Sequence, residues 1–336
     1  MSDLRCGDLV EVEWESDWYP GVVSDIPTSQ ELAVNYVNGD FEESVPANAG
    51  RLRSFPPRKR PGDDVRKGSR DRKVVAAATL RLGANRGDIG LVMEALGEGA
   101  DPCTFDDFGY VALHWVAGPD EGMPGDTISR RACVALLSRM MGAQLNVADK
   151  THLGLRGVQH AVVRNLVGCV KTFHYVGADM RSTVHWAVSQ KCHGVLRELL
   201  ALGVTHVTSK AEWDGCSPLM LSASSNDAYG IRLYIDHVRR VQGELAVCPL
   251  LTEVQQGKLR SSPLHYAADA AADSVVELLL ELRSNPNARS ARGETPVVVA
   301  RRRAQACEKG GVGTDLIEAA IRCGEIRRAP LPPSEA

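Results

Sequence analysis

The chain has 336 residues, of which 44% are apolar and 24% charged, and its formal net charge is −3. No uninterrupted apolar run approaches the roughly 18 residues of a membrane helix, and the N-terminus lacks the charged and apolar regions of a secretory signal. The nine cysteines include no C-x-x-C pair, which predicts reduced thiols rather than disulfides or zinc ligands. We therefore expect a nuclear or cytoplasmic chain of about two domains, with no membrane contact, metal or cofactor.

The small net charge hides an uneven distribution along the chain. Residues 1–50 contain eleven acidic residues and one basic residue, a charge of −10. Residues 51–73 contain ten Lys or Arg and three Asp, a charge of +7, and the remainder is neutral. This asymmetry bears on partners rather than on fold, because an acidic head repels nucleic acid and attracts cationic segments.

The first fifty residues alternate apolar and polar side chains with the period of a β-strand. The segments LVEVEW, WYPGVV, ELAVNYV and DFEESV predict four strands, with a bend or bulge at Pro20-Gly21 and a hairpin turn at Asn38-Gly39. Residues 51–53 could add a fifth strand. Uninterrupted alternation in the fourth segment puts Phe41 and Val45 on one side of it. So many short strands predict a small, strongly bent barrel.

The order G-D-x-V-x-V-x-W…W-Y-P-G-x-V…Y-x-N-G-D-x-E, within residues 7–53, resembles the Tudor domain family of SH3-like barrels. In that family, aromatic side chains at the open end of the barrel form a cage for methylated lysine or arginine. The resemblance implies a set of ring walls and a polar contact to the ligand: Trp14, Tyr19, Tyr36 and Phe41 for the walls, and Asn38 or Asp40 for the contact. At position 38 many lysine readers have an acidic residue and some arginine readers an aromatic one, so the ligand class stays open. Trp18 is adjacent to Tyr19, so we expect it to face the other way.

Ring faces suit a methylated cation, because desolvated cation–π attraction is worth up to about 2 kcal/mol or more. The acidic surroundings favour a basic peptide, such as a histone tail or an Arg-Gly-rich segment. The alternative is that these rings are only the core and rim of a structural barrel.

Residues 56–75 have the Pro-, Gly- and charge-rich composition of a disordered linker. Two basic clusters within it are spaced like a bipartite nuclear import signal: Arg58, Lys59 and Arg60, then Arg70, Arg72 and Lys73. The alternatives are a solvated linker, a phosphate-contacting patch, or a segment that folds back on the acidic head and occludes it. Residues 51–73 are the one place where we expect nucleic-acid contact.

Three downstream strings, LHWVA, VHWAV and LHYAA, resemble the T-P-L-H-x-A signature of ankyrin repeats. We take the residue at the His position of each repeat as its anchor. Where the string is degenerate, the Gly that ends the repeat can locate the anchor by counting back. Seven anchors result: Arg81, His114, Gln159, His185, Met220, His265 and Val298. Their spacings are 33, 45, 26, 35, 45 and 33 residues, two of which equal the ankyrin period. A single unit cannot bury its apolar face, so we expect the units to stack.

Three departures from the ankyrin period stand out. About ten extra residues follow His114 and fall between two helices, whereas the stretch from Gly177 to His185 is about seven residues short, so that its hairpin finger is missing or clipped. About twelve extra residues between Met220 and His265 enlarge another finger, which includes VCPLLTEV. We expect this enlarged finger to be ordered and to be the most distinctive part of the binding surface.

The predicted fold class is multidomain α+β. A small all-β SH3-like barrel occupies residues 1–55, the basic linker 56–75, an all-α ankyrin solenoid of about seven units 76–329 with degenerate units at both ends, and a disordered tail 330–336. The repeated histidines are expected to be structural, and no nucleophile elbow, phosphate loop or paired metal ligands are visible, so we do not predict an enzyme. The resemblances imply a monomeric adaptor that reads a methylated peptide and holds a second protein. The alternative is a cytosolic interaction scaffold whose barrel reads no methyl mark.

Overall fold

The fold is described from a computed structural model of the chain. The described residues are 5–6, 8–14, 17–28, 31–36, 41–46, 52–54, 70–117, 125–204, 215–255, 259–307, 315 and 318. The chain divides into two compact units, Met1–Thr183 and Val184–Ala336.

The first unit begins with five strands: β1 (Leu9–Trp14), β2 (Asp17–Thr28), β3 (Glu31–Tyr36), β4 (Phe41–Pro46) and β5 (Leu52–Ser54). They form one antiparallel sheet in the order β4-β3-β2-β1-β5. Alternate apolar residues make a small core in which no side chain is more than 3% exposed: Val10, Val12, Val23, Leu32, Val34 and Val45. The closed SH3-like barrel stays a prediction, because no pairing between β4 and β5 is found among the described residues.

The predicted bulge at Pro20-Gly21 is absent from the β1–β2 ladder, which runs without interruption from Leu9–Val22 to Trp14–Asp17. Pro20 pairs with Glu11 and precedes the first β2–β3 pair, so its missing N–H breaks no bond to β3. The irregularity in β2 lies after Val23 instead.

Pairs of helices follow the sheet. Helices of the first unit are α1 (Arg70–Arg86), α2 (Ile89–Gly97), α3 (Ala112–Val116), α4 (Ile128–Met141), α5 (Gly157–Val163) and α6 (Val167–Tyr175). Helix α7 (Thr183–Ser189) begins at Thr183, the last residue of the first unit. Helices of the second unit are α8 (His193–Ala201), α9 (Pro218–Ser224), α10 (Ala228–Gln242), α11 (Val247–Thr252), α12 (Pro263–Asp269), α13 (Asp273–Glu281) and α14 (Pro296–Cys307). Each predicted anchor residue lies in a helix that opens a pair or, for Val298, in α14.

Local signals explain where many of these helices begin and end. Side chains at four N-caps accept a hydrogen bond from a backbone N–H of the first turn, at distances of 2.9–3.4 Å: Asp88, Thr127, Ser217 and Asp227. Glycines follow several second helices with positive φ, as at Gly99 (+90°) and Gly203 (+68°), a conformation that side chains with a Cβ rarely adopt.

Two predicted boundaries differ from the structure. Helix α1 begins at Arg70, so the last six residues of the predicted linker 56–75 are helical. The extra residues before His265 do not simply enlarge a finger, because they also lengthen α10 to 15 residues and form the additional helix α11. Helix α1 as a whole packs against α2 and α3, and its first described side chains, Lys73 to Val75, are exposed as the linker composition suggests.

The N-terminal sheet packs against helices of its own unit. Strands β2 and β3 contact α4, and β2 also contacts α6. An ion pair of 3.1 Å joins Arg139 Nε of α4 to Asp8 Oδ1 just before β1. Asp8 also accepts a hydrogen bond from the backbone N–H of Arg5, which fixes its carboxylate. The sheet therefore rests on the array within this unit.

Arg130, in the first turn of α4, connects three segments of the first unit. It is 1% exposed, and its guanidinium donates to the carbonyls of Asn85 (2.7 Å), Val116 (2.5 Å) and Gly125 (3.2 Å). Burial lowers the pKa of its guanidinium, but arginine remains charged at any pH a protein survives. Gly87 packs directly against it, since a Cβ there would lie 2.9 Å from Arg130 Cβ at a φ of +69°.

His114 joins the start of α3 to the connection that follows α4. Its Nδ1 accepts a hydrogen bond from the backbone N–H of Val111 at 3.0 Å, and its Nε2 therefore carries the proton that is donated to the Val147 carbonyl at 3.2 Å. His265 of α12 repeats the arrangement, with Nε2 at 3.0 Å from the Glu294 carbonyl. Both imidazoles are buried, so these two anchor histidines are structural, as predicted.

We predict that Arg130→Met lowers the free energy of unfolding by roughly 3–5 kcal/mol. Methionine retains most of the apolar volume but leaves the buried carbonyls of Asn85 and Val116 without a donor, each of which costs about 1–3 kcal/mol. Urea unfolding followed by circular dichroism measures the change. Arg86→Met, at the exposed end of α1, should change stability by no more than about 0.5 kcal/mol. Equal losses in the two variants would contradict the assignment.

We also predict that stability falls in mild acid because of His114. Burial is the main reason that its pKa is lowered from 6.5 to about 4, and nearby His160 adds to the effect. Between those values the unfolded state binds the extra proton, so this contribution is complete above pH 6.5 and decreases as the pH falls toward 4, by at most about 3 kcal/mol.

The matched variant for this test is His114→Gln, because Gln159 occupies the same position of α5 and accepts from the Arg156 N–H at 2.9 Å. It should be less stable than the parent near neutrality, since the bond to Val147 is lost, but should show a flatter profile in urea unfolding across this pH range. A profile as steep as the parent's would show that other groups carry the acid sensitivity.

Candidate functional site

Each of the four predicted cage walls lies at or near a strand end, but the register sets Tyr36 opposite Gly21, which pairs with Val10, four residues before Trp14. Trp14 ends β1, Tyr19 lies near the start of β2, Tyr36 ends β3 and Phe41 begins β4. Tyr19 pairs with buried Val12. The backbone therefore agrees with the strand-end positions that the resemblance assigns to these residues.

Phe41 differs from the other three in its register. It pairs with Asn35, whereas Glu42 pairs with Val34 of the core. An extra residue in β4 between Glu42 and Val45 interrupts the alternation, so the expectation that Phe41 and Val45 share one side is wrong. The two predicted polar contacts, Asn38 and Asp40, lie outside the described residues.

The predicted basic clusters are described only in part. Arg58, Lys59 and Arg60 lie outside the described residues, whereas Arg70, Arg72 and Lys73 occupy the first turn of α1. Lys73 is exposed. Import and phosphate contact remain predictions for these positions.

The segment VCPLLTEV of the insertion contains helix α11, in agreement with the expectation that it is ordered. Val247 and Leu251 of α11 are each 3% exposed, so one face of this helix is buried. Leu245, in the turn before α11, is 88% exposed. The insertion therefore combines two buried apolar side chains with one exposed apolar side chain.

A surface that the sequence analysis missed lies at residues 105–110, here called the aromatic finger. Its organising residue is Asp106, whose Oδ1 accepts from the backbone N–H groups of Phe108 and Tyr110 at 3.0 Å. The other oxygen, Oδ2, accepts from Trp115 Nε1 of α3 at 2.6 Å. One carboxylate thus fixes both the turn and the indole.

The rings of the aromatic finger pack edge to face around that indole. The ring centroids of Phe108 and Tyr110 lie 5.9 Å and 5.4 Å from that of Trp115, at interplanar angles of 81° and 82°. Phe108 is nevertheless 63% exposed, whereas Trp115 is 8% exposed. A large apolar ring is therefore held rigidly at the surface.

A cavity of about 410 Å³ opens between α1 and the aromatic finger. It is lined by Ala78, Arg81, Leu82, Asn85, Phe108 and Trp115. The Arg81 guanidinium carbon lies over the Phe108 and Trp115 rings, 5.9 Å and 5.8 Å from their centroids. Its Nη1 is 3.9 Å from Asp106 Oδ2, the outer limit of an ion pair.

The next connection supports the aromatic finger from its other side. Lys150 Nζ lies 4.0 Å from the Phe105 ring centroid, and the Lys150 N–H donates to the Gly109 carbonyl at 2.9 Å. A Cβ at Gly109 would lie 2.8 Å from Lys150 Cβ, and its φ is +82°. Only glycine permits this approach.

Two buried titratable groups lie behind the finger. Asp149 accepts from His160 Nε2 at 2.7 Å, and the His160 ring packs edge-on against Tyr110 with centroids 5.6 Å apart. Burial alone would raise the pKa of Asp149, but hydrogen bonds from Thr151 and His160 outweigh it and lower the pKa. Burial also lowers the pKa of His160. Neither group lines the cavity, so both serve the finger's structure.

Other classes of site find no support among the residues that the structure describes. No group of three or more His, Cys, Asp or Glu there could hold a metal ion. Within the same ranges, no helix combines the length and apolarity needed to span a membrane.

Comparisons with known proteins agree with this architecture. A family model described as ankyrin repeats (3 copies) matches residues 184–290. The ankyrin repeat domain of Bcl-3, described as a unique member of the IkappaB protein family, superposes with a TM-score of 0.52 and 18% identity, over 71% of this chain and 97% of that one. The human ASB11 ankyrin repeat domain superposes with a TM-score of 0.52 and 20% identity, over 76% and 99% of the two chains.

None of the curated proteins matches the sequence. At these identities the structural likeness establishes the fold alone. Residues 184–290 therefore match ankyrin repeats, and the helical part of the chain has the ankyrin-repeat solenoid fold.

Proposed function

We propose that this protein is a non-enzymatic adaptor of the nucleus or cytoplasm. Its ankyrin array holds a protein partner, and its N-terminal Tudor-like sheet recognises methylated lysine or arginine in a basic peptide. The observation that carries the proposal is the aromatic finger, which presents a rigid, exposed Phe108 beside the cation of Arg81.

The aromatic finger has the properties of a protein-binding surface. Aromatic and arginine side chains supply most of the energy at protein interfaces, and they contribute most where they are held in place before binding. Asp106 and Lys150 provide that restraint through the contacts described above. A partner would therefore order few new side chains on this surface.

The methyl-reading half of the proposal is supported by backbone placement and charge. The four aromatic residues assigned to the cage each lie at or near a strand end that adjoins the β1–β2 or the β3–β4 connection. Residues 1–50 carry a charge of −10, which favours a cationic peptide over an acidic one.

We predict that Trp14→Ala combined with Tyr36→Ala weakens binding of a methylated peptide at least tenfold, because two cation–π walls are lost. Fluorescence anisotropy with a trimethyl-lysine peptide and with a dimethyl-arginine peptide measures the affinity and also decides the ligand class. Circular dichroism should show the helical array intact. Trp18→Ala is the matched control, since Trp18 pairs with Glu13 and is not assigned to the cage. Equal affinity in the double variant and the parent would refute methyl reading.

A second candidate function for the sheet is structural. The contacts of β2 and β3 with α4, together with the Arg139–Asp8 ion pair, favour a sheet that covers the outer helices of the array. Such a cover would protect the apolar side chains of α4 with or without a bound peptide.

We predict that Arg139→Glu speeds hydrogen exchange in β2 and α4 about two- to fivefold, because it sets two carboxylates against each other at the contact. Adding Asp8→Lys should restore the parent's protection. Methyl-peptide affinity measured on the same variants separates the two functions of the sheet. Exchange that is unchanged by Arg139→Glu would show that the contact is not stabilising.

A further inference from the structure

We propose that the cavity between α1 and the aromatic finger is the docking point for an acidic, apolar segment of the array's partner. One apolar side chain enters the cavity, and a neighbouring carboxylate pairs with Arg81. This inference rests on the proposed function, that the array binds a protein, and specifies the chemistry of that partner.

The shape and lining of the cavity fit an inserted side chain. Its volume of about 410 Å³ lies in the range of small-ligand pockets, roughly 300–1,000 Å³. Apolar side chains form much of its wall, and two of them, Leu82 and Phe108, are 43% and 63% exposed. Covering these two residues removes apolar surface from water, which favours an apolar ligand group.

An apolar stripe on α1 extends the site beyond the cavity. Val74, Ala78 and Leu82 are spaced four residues apart, so they lie on one face of the helix. All three are exposed, Val74 to 65%. A partner segment that runs along α1 can therefore bury further apolar residues after the first has entered the cavity.

The charge of the lining selects an acidic segment. Arg81 is the single ionised residue among the six that line the cavity. The nearest carboxylate, Asp106, already accepts three hydrogen bonds from the finger and from Trp115, and it lies 3.9 Å from Arg81. A guanidinium over aromatic rings retains N–H donors for a carboxylate, which it binds in a bidentate manner. Lys73, in the first turn of α1, is a second exposed cation on the same helix.

The cavity walls do not need to rearrange before binding. Asp106 holds the turn and the indole, and the Asp106 N–H donates to the Tyr110 carbonyl at 2.9 Å across the turn. Gly109 and Lys150 fix the tip of the finger. Preorganised walls lower the conformational cost of binding.

The experiment selects binders from a random dodecapeptide display library on the immobilised full-length protein. Enriched peptides should combine aliphatic or aromatic residues with an adjacent Asp or Glu. For the strongest binder, synthesised with a fluorescent label, Arg81→Gln should weaken binding about fivefold, and Phe108→Ser about tenfold or more. Both side chains are partly exposed, so we expect the variants to fold, as circular dichroism would verify.

Two substitutions in the second unit serve as matched controls. Arg232→Gln removes an arginine that lies 3.9 Å from Glu281, the same separation as between Arg81 and Asp106. Leu245→Ser removes an apolar side chain that is 88% exposed. Neither should change the affinity of the selected peptide.

Each outcome supports or overturns the proposal. Binding that responds to Arg81→Gln and Phe108→Ser but to neither control supports it. Selected peptides that ignore both substitutions, or that are basic, overturn the acidic docking point but leave array binding intact. Failure to enrich any peptide counts against the docking point, and if methyl-peptide binding is also absent, against the adaptor function itself.

Discussion

In a short helix most backbone N–H and C=O groups lie at the ends, where they have no partner within the helix. This constraint dominates the first unit. Helix α3 has only five residues, so its last carbonyls cannot find partners within the helix. Arg130 supplies donors to Val116 at the end of α3 and to Asn85 at the end of α1. Asp126 solves the opposite problem, because it accepts from the backbone N–H groups at the start of α6. The helices of the first unit are thus held together by polar side chains from neighbouring repeats as well as by apolar contact.

Much of the helical fold could be predicted because its signals are local. Caps such as Ser217 and helix-ending glycines such as Gly203 act within a few residues, and the anchor spacing locates the units. The start of α1 at Arg70, the extra residue in β4 and the length of α10 were not predictable in this way. The extra residue in β4 arises in its pairing with β3, and α10 contacts the segment that follows it, whereas local composition at all three places favours a different structure.

The candidate site shows the same division between local and long-range information. Three aromatic residues in TFDDFGY signal an unusual finger, but Arg81 is 25 residues from Asp106 in sequence, and only the fold brings it over the rings. The two proposed binding surfaces of the first unit also differ in charge, since the sheet region is strongly acidic whereas Arg81 is the one ionised residue in the cavity lining. An adaptor built in this way would join a basic ligand to an acidic one and discriminate between them by repulsion.

The bond from the His114 imidazole to the Val147 carbonyl ties one repeat to the connection that follows it. His114 and His265 each donate to a backbone carbonyl of the finger that follows, whereas Arg81 lies 3.9 Å from the Asp106 carboxylate. Gln159 precedes the clipped connection between α6 and α7, and Met220 precedes the insertion that forms α11. A histidine at this position therefore ties its repeat to the finger that follows, and the two connections of irregular length named here follow Gln159 and Met220 instead. A finger that changed its length at such a place would leave a buried imidazole without its acceptor, at a cost of about 1–3 kcal/mol.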